Sequence, residues 1–211
     1  MHPLLLADVV MPSLFIGSGF GRIGCFLFGC CFGSVCAPDM PLAVYFPEDS
    51  NTYPRLFARS AETGQQLTQV DGVPVSVLGE GEELPRTESG RARLMVQKRS
   101  ELRAANPDAT FTTVAVHPAQ LYSSALAFTL AGFLMWLFPR RKFDGFILAI
   151  SLMLYAVNRF VLEVVRDDEP GRLDTGFTFS QLVSFGMLAL GGILFIEFWV
   201  RSRKTTEPTA E

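Results

Sequence analysis

The chain has 211 residues, of which 49% are hydrophobic and 19 are phenylalanine. Its apolar residues are gathered into long runs, which excludes an ordinary soluble domain and indicates a protein embedded in the lipid bilayer. The formal net charge of −3 argues against nucleic acid as a partner, because nucleic-acid-binding proteins carry a basic surface.

Four segments are long and apolar enough to cross a bilayer. We therefore predict an all-α polytopic membrane protein of about four transmembrane helices, with a small mixed extracytoplasmic head region between the first and the second. The predicted spans lie at about 4–29, 119–138, 145–165 and 177–200. The predicted domains are 1–37 (first span with a Gly/Arg signature), 38–116 (head region), 117–200 (three-span bundle) and 201–211 (cytoplasmic tail).

The first span contains Arg22 in an otherwise apolar, glycine-rich stretch. A charge at bilayer depth costs at least a few kcal/mol, so it usually faces a polar cavity or a partner. The glycines let another backbone or a ligand approach the helix closely. Two interpretations stay open: a helix-packing face with Arg22 reaching the interface, or a binding site for an anion. The glycines lie at 17, 19, 21, 24, 29 and 33.

The region 38–116 is polar, and we predict that it has no sustained helical period. We expect short strands within 72–78 and a short helix over 97–105, in a water-exposed region that is partly ordered at best. Basic clusters follow the second span at 139–142 and the fourth at 201–204. Such clusters face the cytoplasm, so we expect the N-terminus and the C-terminus inside and the head region outside.

The third span ends with a polar stripe on an apolar helix. Its members, at i, i+4, i+8 and i+11, are Tyr155, Arg159, Glu163 and Arg166. One interpretation is a structural ion-pair ladder. The other is an anion site, because two arginines exceed one glutamate and a guanidinium can donate two parallel hydrogen bonds to a phosphate. A phospholipid head group is the abundant phosphate of a membrane.

Polar residues also mark the start of the second span. His117 precedes a proline suited to a first helical turn, and with Gln120 and Tyr122 it either lines the mouth of a polar cavity or forms a polar cap. Asp144 is most simply a charge at a helix N-terminus. Ser180 and Gln181 are weaker candidates for polar site residues in the fourth span.

The four cysteines lie between 25 and 36. Their C-x4-C-C-x4-C spacing lacks the C-x2-C pairs of common zinc sites, and no histidine is near them in sequence. We therefore expect no metal site, and packing as the role of Cys25. A disulfide between Cys36 and Cys30 or Cys31 is an open alternative.

Four short motifs occur in a set order at the ends of the spans: Gly21–Phe26 with Gly33, His117–Tyr122, Arg159-x3-Glu163-x2-Arg166, and Ser180–Gln181. Together they resemble the prolipoprotein diacylglyceryl transferase family. The resemblance implies a transferase of the bacterial inner membrane that moves a diacylglyceryl group from phosphatidylglycerol to the lipobox cysteine thiol of a prolipoprotein. This is the first step of lipoprotein maturation, and it needs no cofactor. The implied partners are phosphatidylglycerol, the lipobox peptide and the bilayer.

The resemblance also implies roles for residues. Arg22 and Arg159 would surround the head group, and Tyr155, Glu163 and Arg166 would complete the catalytic set. The implied substrate-binding residues are Arg22, Gly24, Cys25, Gly33, His117, Gln120, Tyr122 and Gln181.

The chain departs from the family pattern in two respects. The family signature has asparagine where this chain has Cys25, and often asparagine and glutamate at Phe28 and Cys30. Family members usually have about seven spans, of which this chain matches the last four, and an earlier histidine implicated in activity has no counterpart, so the general base is unassigned. Alternatives to the enzyme are a fragment of it, a catalytically incomplete phospholipid-binding relative, or a small anion transporter. The absence of paired half-repeats disfavours the transporter.

Overall fold

Helices dominate the structure, a computed structural model that describes residues 3–79, 82–165 and 178–206. Two compact units divide the chain, Met1–Gly24 with Ala119–Glu211 (the membrane unit) and Cys25–Pro118 (the head unit). The predicted four-part division stays a prediction. The elements in chain order are α1 (Pro3–Phe28), α2 (Thr52–Thr63), β1 (Thr68–Val70), β2 (Val73–Val75), α3 (Glu88–Ala105), β3 (Phe111–Thr113), α4 (Ala119–Leu137), a 3-10 turn (Phe138–Arg140), α5 (Phe146–Val165) and α6 (Phe179–Thr206).

Four helices, α1, α4, α5 and α6, are long and apolar enough to cross a membrane. The helices α1, α4 and α5 begin and end within about one residue of the expected bounds, whereas α6 begins close to its expected start and continues to Thr206, past the expected end at 200. A helix satisfies its backbone hydrogen bonds internally, which a segment in lipid requires. The predicted fold class, an all-α polytopic membrane protein with four spans and a small mixed region between the first two, is confirmed.

Small residues allow close helix contacts in the membrane unit. A Cβ added at Gly19 would lie 2.7 Å from the Phe128 ring of α4, and the Ser124 hydroxyl donates a hydrogen bond of 3.0 Å to the Gly19 carbonyl. A Cβ at Gly191 of α6 would lie 3.1 Å from the Ala149 carbonyl of α5. The apolar core beside these contacts is formed by Phe15, Ala131, Leu134, Phe143, Phe146 and Ile147.

A buried carboxylate ties α1 to the first turn of α5. Asp8 has no exposed surface, and its two oxygens accept hydrogen bonds of 2.9 Å from the Gly145 and Leu148 N–H groups. A negative charge here complements the unpaired N–H groups and the dipole of the helix N-terminus. The helix-terminal role expected for Asp144 stays a prediction; the contacts of Asp8 are an additional anchor that the sequence did not indicate.

The head unit combines a three-stranded antiparallel sheet, in the order β2-β1-β3, with two helices. The prediction that 38–116 has no sustained helical period is wrong. In α2 the buried residues recur at helical spacing and pack into the unit's core. They are Thr52, Tyr53, Leu56, Phe57, Ser60 and Ala61. The predicted strand at 72–78 contains β2, and the predicted helix at 97–105 is the second half of α3.

Candidate active site

A polar cleft lies among α1, α4 and α5 in the membrane unit. Its cavity volume is about 40 Å³, room for a small polar group or a few waters, since one water needs about 10–15 Å³ on this measure. Most of a lipid-sized ligand would lie outside this space. The lining residues are Phe15, Ser18, Arg22, Ser123, Ala127, Tyr155, Asn158, Arg159 and Leu162.

Helical spacing explains why these side chains meet. Residues three or four positions apart share one face of a helix. Ser18 and Arg22 are so spaced on α1, and Tyr155, Asn158 and Arg159 on α5. Three residues expected to be catalytic, Arg22, Tyr155 and Arg159, thus line one cleft although they come from two distant parts of the sequence.

Arg159 is held in place from two sides. One terminal nitrogen lies 2.8 Å from Glu163 Oε2, and the other donates a hydrogen bond of 2.6 Å to the Ser180 hydroxyl of α6. The Glu163 side chain is only 5% exposed. A buried carboxylate that orients a guanidinium fixes the direction in which its remaining N–H groups point.

Arg22 is in a different position. Within the part of the chain that the structure describes, it forms no ion pair or hydrogen bond. Asn158, a neighbour in the cleft, has a buried Oδ1 without a hydrogen-bond partner among the same residues. Arg22 and Arg159 against Glu163 leave one net positive charge at the cleft.

An apolar cavity of about 190 Å³ adjoins the cleft. The two share Phe15, Ser18 and Tyr155. Tyr155 packs edge-on against Phe15 at 6.3 Å between ring centroids. A cationic cleft beside an apolar cavity suits a ligand with a charged part and a hydrocarbon part. The remaining residues of the cavity wall are Met11, Leu14, Ser151, Leu152 and Met187.

Other expected site residues of the membrane unit lie elsewhere. Gln181 forms a capping box at the start of α6: its side-chain oxygen accepts from the Thr178 N–H at 3.0 Å, and its own N–H donates to the Thr178 hydroxyl at 3.3 Å. Gln120 is buried in the first turn of α4, and neither it nor Tyr122 lines the described cleft. Arg166 lies outside the described residues. Roles for these residues stay predictions.

In the head unit, Gly33 and His117 form a backbone pair. The Gly33 N–H donates to the His117 carbonyl at 2.8 Å, and the His117 N–H donates to the Ser34 carbonyl at 2.9 Å. Two sequence motifs thus meet through their main chains. The expected substrate-binding roles of these residues are predictions.

The glycines of the first span differ in what surrounds them. Gly19 makes the close helix contact described above, and Gly29 ends α1 with a φ of 67°. At Gly17, Gly21 and Gly24 an added Cβ would meet no described atom within 4 Å. The expected close approach at these three positions is therefore not found in the described residues.

Sequence reasoning did not single out three polar residues of the cleft. Asn158, next to Arg159, is a polar amide in an apolar span and could have been noticed for that reason. Ser18 and Ser123 gave no comparable signal, because a small hydroxyl residue is common in membrane helices, where it can bond to its own backbone.

Four spanning helices and a cleft with two arginines define a polytopic membrane protein with a cationic site inside its helical bundle. Comparison with known families identifies the particular kind of membrane protein. The sequence model for prolipoprotein diacylglyceryl transferase matches residues 1–197, so the chain belongs to that family.

Curated relatives agree with this assignment. The chain is 28% identical to phosphatidylglycerol–prolipoprotein diacylglyceryl transferase 2 of Clostridium perfringens, over 96% of this chain and 56% of the relative. It is 30% identical to the Bdellovibrio bacteriovorus protein named as the same kind of transferase, over 99% of this chain and 62% of the relative. For the Clostridium tetani relative the identity is 26%, over 91% and 53%. The chain thus spans little more than half the length of these relatives.

Proposed function

We propose that this chain binds the phosphodiester of phosphatidylglycerol between Arg22 and Arg159 and transfers its diacylglyceryl group to the lipobox cysteine of a prolipoprotein. The observation that carries the proposal is Arg22, a cation in the cleft of an apolar bundle with no counter-ion among the described residues. A charge removed from water without a partner is costly. A bound anion would offset that cost.

The charge of the cleft fits a phosphodiester. Two guanidinium groups and the Glu163 carboxylate leave one net positive charge, and a phosphodiester carries one negative charge. Charge-assisted hydrogen bonds from arginine to phosphate oxygens are about twice as strong as bonds between neutral groups. Because Glu163 and Ser180 already orient Arg159, less side-chain entropy is lost when the ligand binds.

The neighbouring cavity supports a lipid rather than a free phosphate. Its lining is apolar and it shares a wall with the cleft. Burial of each methylene of an acyl chain contributes about 0.8 kcal/mol when the chain leaves water. A lipid that is already in the bilayer gains little of this free energy, and the main effect of the cavity on it is to fix its position. The cavity therefore serves to orient the diacylglyceryl group beside the arginines.

The reaction forms one bond and breaks one. The thiolate sulphur of the lipobox cysteine attacks the glycerol carbon that carries the phosphate ester; a C–S bond forms and the C–O bond breaks. The electron pair leaves with glycerol phosphate, whose phosphate gains a second negative charge. Arg22 and Arg159 stabilise that developing charge. The thiol proton must be removed first, since the thiolate is the nucleophile.

A second candidate is a phospholipid-binding relative that does not complete the reaction. The observation that favours it is the lining of the cleft, which offers cations for a phosphodiester but, among the described residues, no carboxylate or imidazole to take up the thiol proton. Binding and transfer therefore have to be measured separately.

The test uses the whole chain in liposomes with labelled phosphatidylglycerol and a lipobox peptide. Arg22→Ala and Arg159→Ala should each reduce transfer at least about 100-fold and weaken binding of phosphatidylglycerol. Arg140→Ala is the matched control, because Arg140 stacks on Trp136 at 4.1 Å and does not line the cleft. Circular dichroism would confirm that each variant is folded.

Each outcome separates the candidates. Transfer by the unmodified chain, lost in both cleft variants, supports the enzyme. Binding lost in the variants without transfer by any of them supports the binding relative. A folded Arg22→Ala protein that binds and transfers at the normal rate contradicts both.

We also propose that the chain lies in the bacterial inner membrane with its C-terminus in the cytoplasm. The support is the two basic clusters at 139–142 and 201–204. A C-terminal fusion to green fluorescent protein, which does not fluoresce when exported unfolded to the periplasm, should be fluorescent. A fusion protein that is fully inserted in the membrane but not fluorescent would indicate the opposite orientation.

A further inference from the structure

Three cysteine thiols of the head unit lie together where α1 ends. The sulphur atoms of Cys25, Cys30 and Cys31 are all within 4.8 Å of one another, and each residue is partly exposed. All four cysteines of the chain are described, and none is in a disulfide. Cys36 is outside the group of three. The disulfide left open as an alternative, between Cys36 and Cys30 or Cys31, is therefore not present.

The backbone after α1 is shaped to produce this arrangement. Gly29 adopts a left-handed conformation, its N–H donates to Phe26 and the Cys30 N–H donates to Cys25, both at 3.0 Å. This is a Schellman motif, which turns the chain back over the last helical turn. Cys31 then has a φ of 59°, a conformation that residues with a side chain rarely adopt and that costs about 1 kcal/mol or more.

We propose that Cys25, Cys30 and Cys31 bind a thiophilic metal ion of the Zn²⁺ or Cu⁺ class. Three sulphurs around one ion at about 2.3 Å lie about 4 Å apart at most, so the observed 4.8 Å limit requires a contraction of less than about 1 Å. Each thiol would release its proton to solvent as its sulphur binds the ion. A fourth position would remain for water or another ligand.

The surroundings favour a cation. The cluster lies at the C-terminal end of a helix, where the carbonyl groups carry a partial negative charge. Cys30 also forms side-chain hydrogen bonds with Cys25 and Cys31, so the three sulphurs are already within reach of one another.

This inference revises the expectation from spacing. Common zinc sites have C-x2-C pairs, which place two sulphurs on one turn. Here the left-handed residues at 29 and 31 bring Cys30 and Cys31 back toward Cys25. The proposal does not rest on lipid transfer, although it includes Cys25, for which the family resemblance also implies a substrate-binding role.

The first test is titration of the reduced whole chain in detergent with Cd²⁺, whose bonds to thiolates absorb in the ultraviolet. We expect one Cd²⁺ per chain and a thiolate-to-metal band, with no competition from excess Mg²⁺, which prefers oxygen ligands. Cys30→Ser should weaken binding at least tenfold, whereas Cys36→Ser should bind as the unmodified chain does. Absence of the band in the unmodified chain, or equal loss in both variants, would overturn the proposal.

A second measurement needs no substitution. Zn²⁺ should slow the reaction of Cys25, Cys30 and Cys31 with iodoacetamide at least tenfold and leave Cys36 unaffected, as read from modified peptides by mass spectrometry. Uniform protection of all four cysteines, or protection of none, would contradict a site made from these three. The result stands even if Cys30→Ser fails to fold.

Discussion

Removal of the Asp8 carboxylate should destabilise the membrane unit by about 3 kcal/mol. Asp8 is fully buried and accepts two hydrogen bonds of 2.9 Å, from Gly145 and Leu148. Hydrogen bonds to a charged group contribute about 1.5–3 kcal/mol each, which gives about 3–6 kcal/mol for both. Polar interactions between membrane helices are weaker than this range, on average about 0.6 kcal/mol, so the lower limit is the better expectation for Asp8→Ala.

The free energy of unfolding of Asp8→Asn should lie between that of Asp8→Ala and that of the unmodified chain. An amide keeps one acceptor oxygen but turns an NH₂ donor toward the second backbone N–H, so one of the two bonds is lost. The cost is about 1.5 kcal/mol or more. The order of the two variants in stability therefore tests whether both carboxylate oxygens accept hydrogen bonds, and not only whether Asp8 is important.

The assay is reversible unfolding in mixed micelles by increasing dodecyl sulphate, followed by far-ultraviolet circular dichroism. Ser13→Ala is the control, since Ser13 is an exposed residue of the same helix. A free energy of unfolding for Asp8→Ala within about 0.5 kcal/mol of the unmodified chain would refute the reasoning, because that is the range of unremarkable surface substitutions.

Three further predictions follow from contacts in the two units. Gly19→Val should destabilise the membrane unit by about 1–3 kcal/mol in the same unfolding assay, because its Cβ would overlap a ring at 2.7 Å, whereas Gly17→Val meets open space; equal effects would contradict the close helix contact. Glu163→Gln should lower transfer at least about tenfold by releasing Arg159 from a 2.8 Å ion pair, with Glu163→Asp partly restoring it; an unchanged rate would mean that the pair does not position the arginine. Burial raises the pKa of the Tyr53 phenol above its usual value of 10.0, so its contribution to stability is present below pH 10 and is lost as the pH rises through the raised pKa. Tyr53→Phe should therefore reduce the alkaline loss of stability measured by urea unfolding, and an identical pH profile would contradict this.

The spans and the α5 half of the cleft could be predicted because they depend on local pattern. Hydropathy alone locates a membrane helix, since its length is set by the bilayer. The polar stripe with Tyr155 and Arg159 follows from helical spacing on one element, and the structure places both in the cleft. Arg22 could be identified from the sequence because it is a charge among apolar residues, which is also why its burial costs free energy.

Contacts between distant segments could not be predicted in this way. Nothing in the sequence around Asp8 indicates that it would cap a helix 137 residues away. Ser180 was only a weak candidate from the sequence, yet its hydroxyl accepts a hydrogen bond of 2.6 Å from Arg159. Each depends on which helices become neighbours, and one sequence carries no direct information on that. The head-unit helix α2 is different, because its buried residues recur at helical spacing and the pattern was available.

The two arginines of the cleft differ in a manner that bears on mechanism. Arg159 has its position fixed by Glu163 and Ser180 before any ligand arrives, so its charge is partly compensated and its geometry is set. Arg22 has no partner among the described residues, so no contact there fixes the direction of its guanidinium. Under the proposed function, the pre-oriented Arg159 would mainly stabilise charge that develops in the reaction, and Arg22 would mainly bind the incoming anion at the cleft. Arg159→Lys should accordingly reduce the transfer rate more than the affinity for phosphatidylglycerol, and Arg22→Lys should do the reverse. Parallel measurement of rate and affinity for the two lysine variants checks this division, and identical effects in both would refute it.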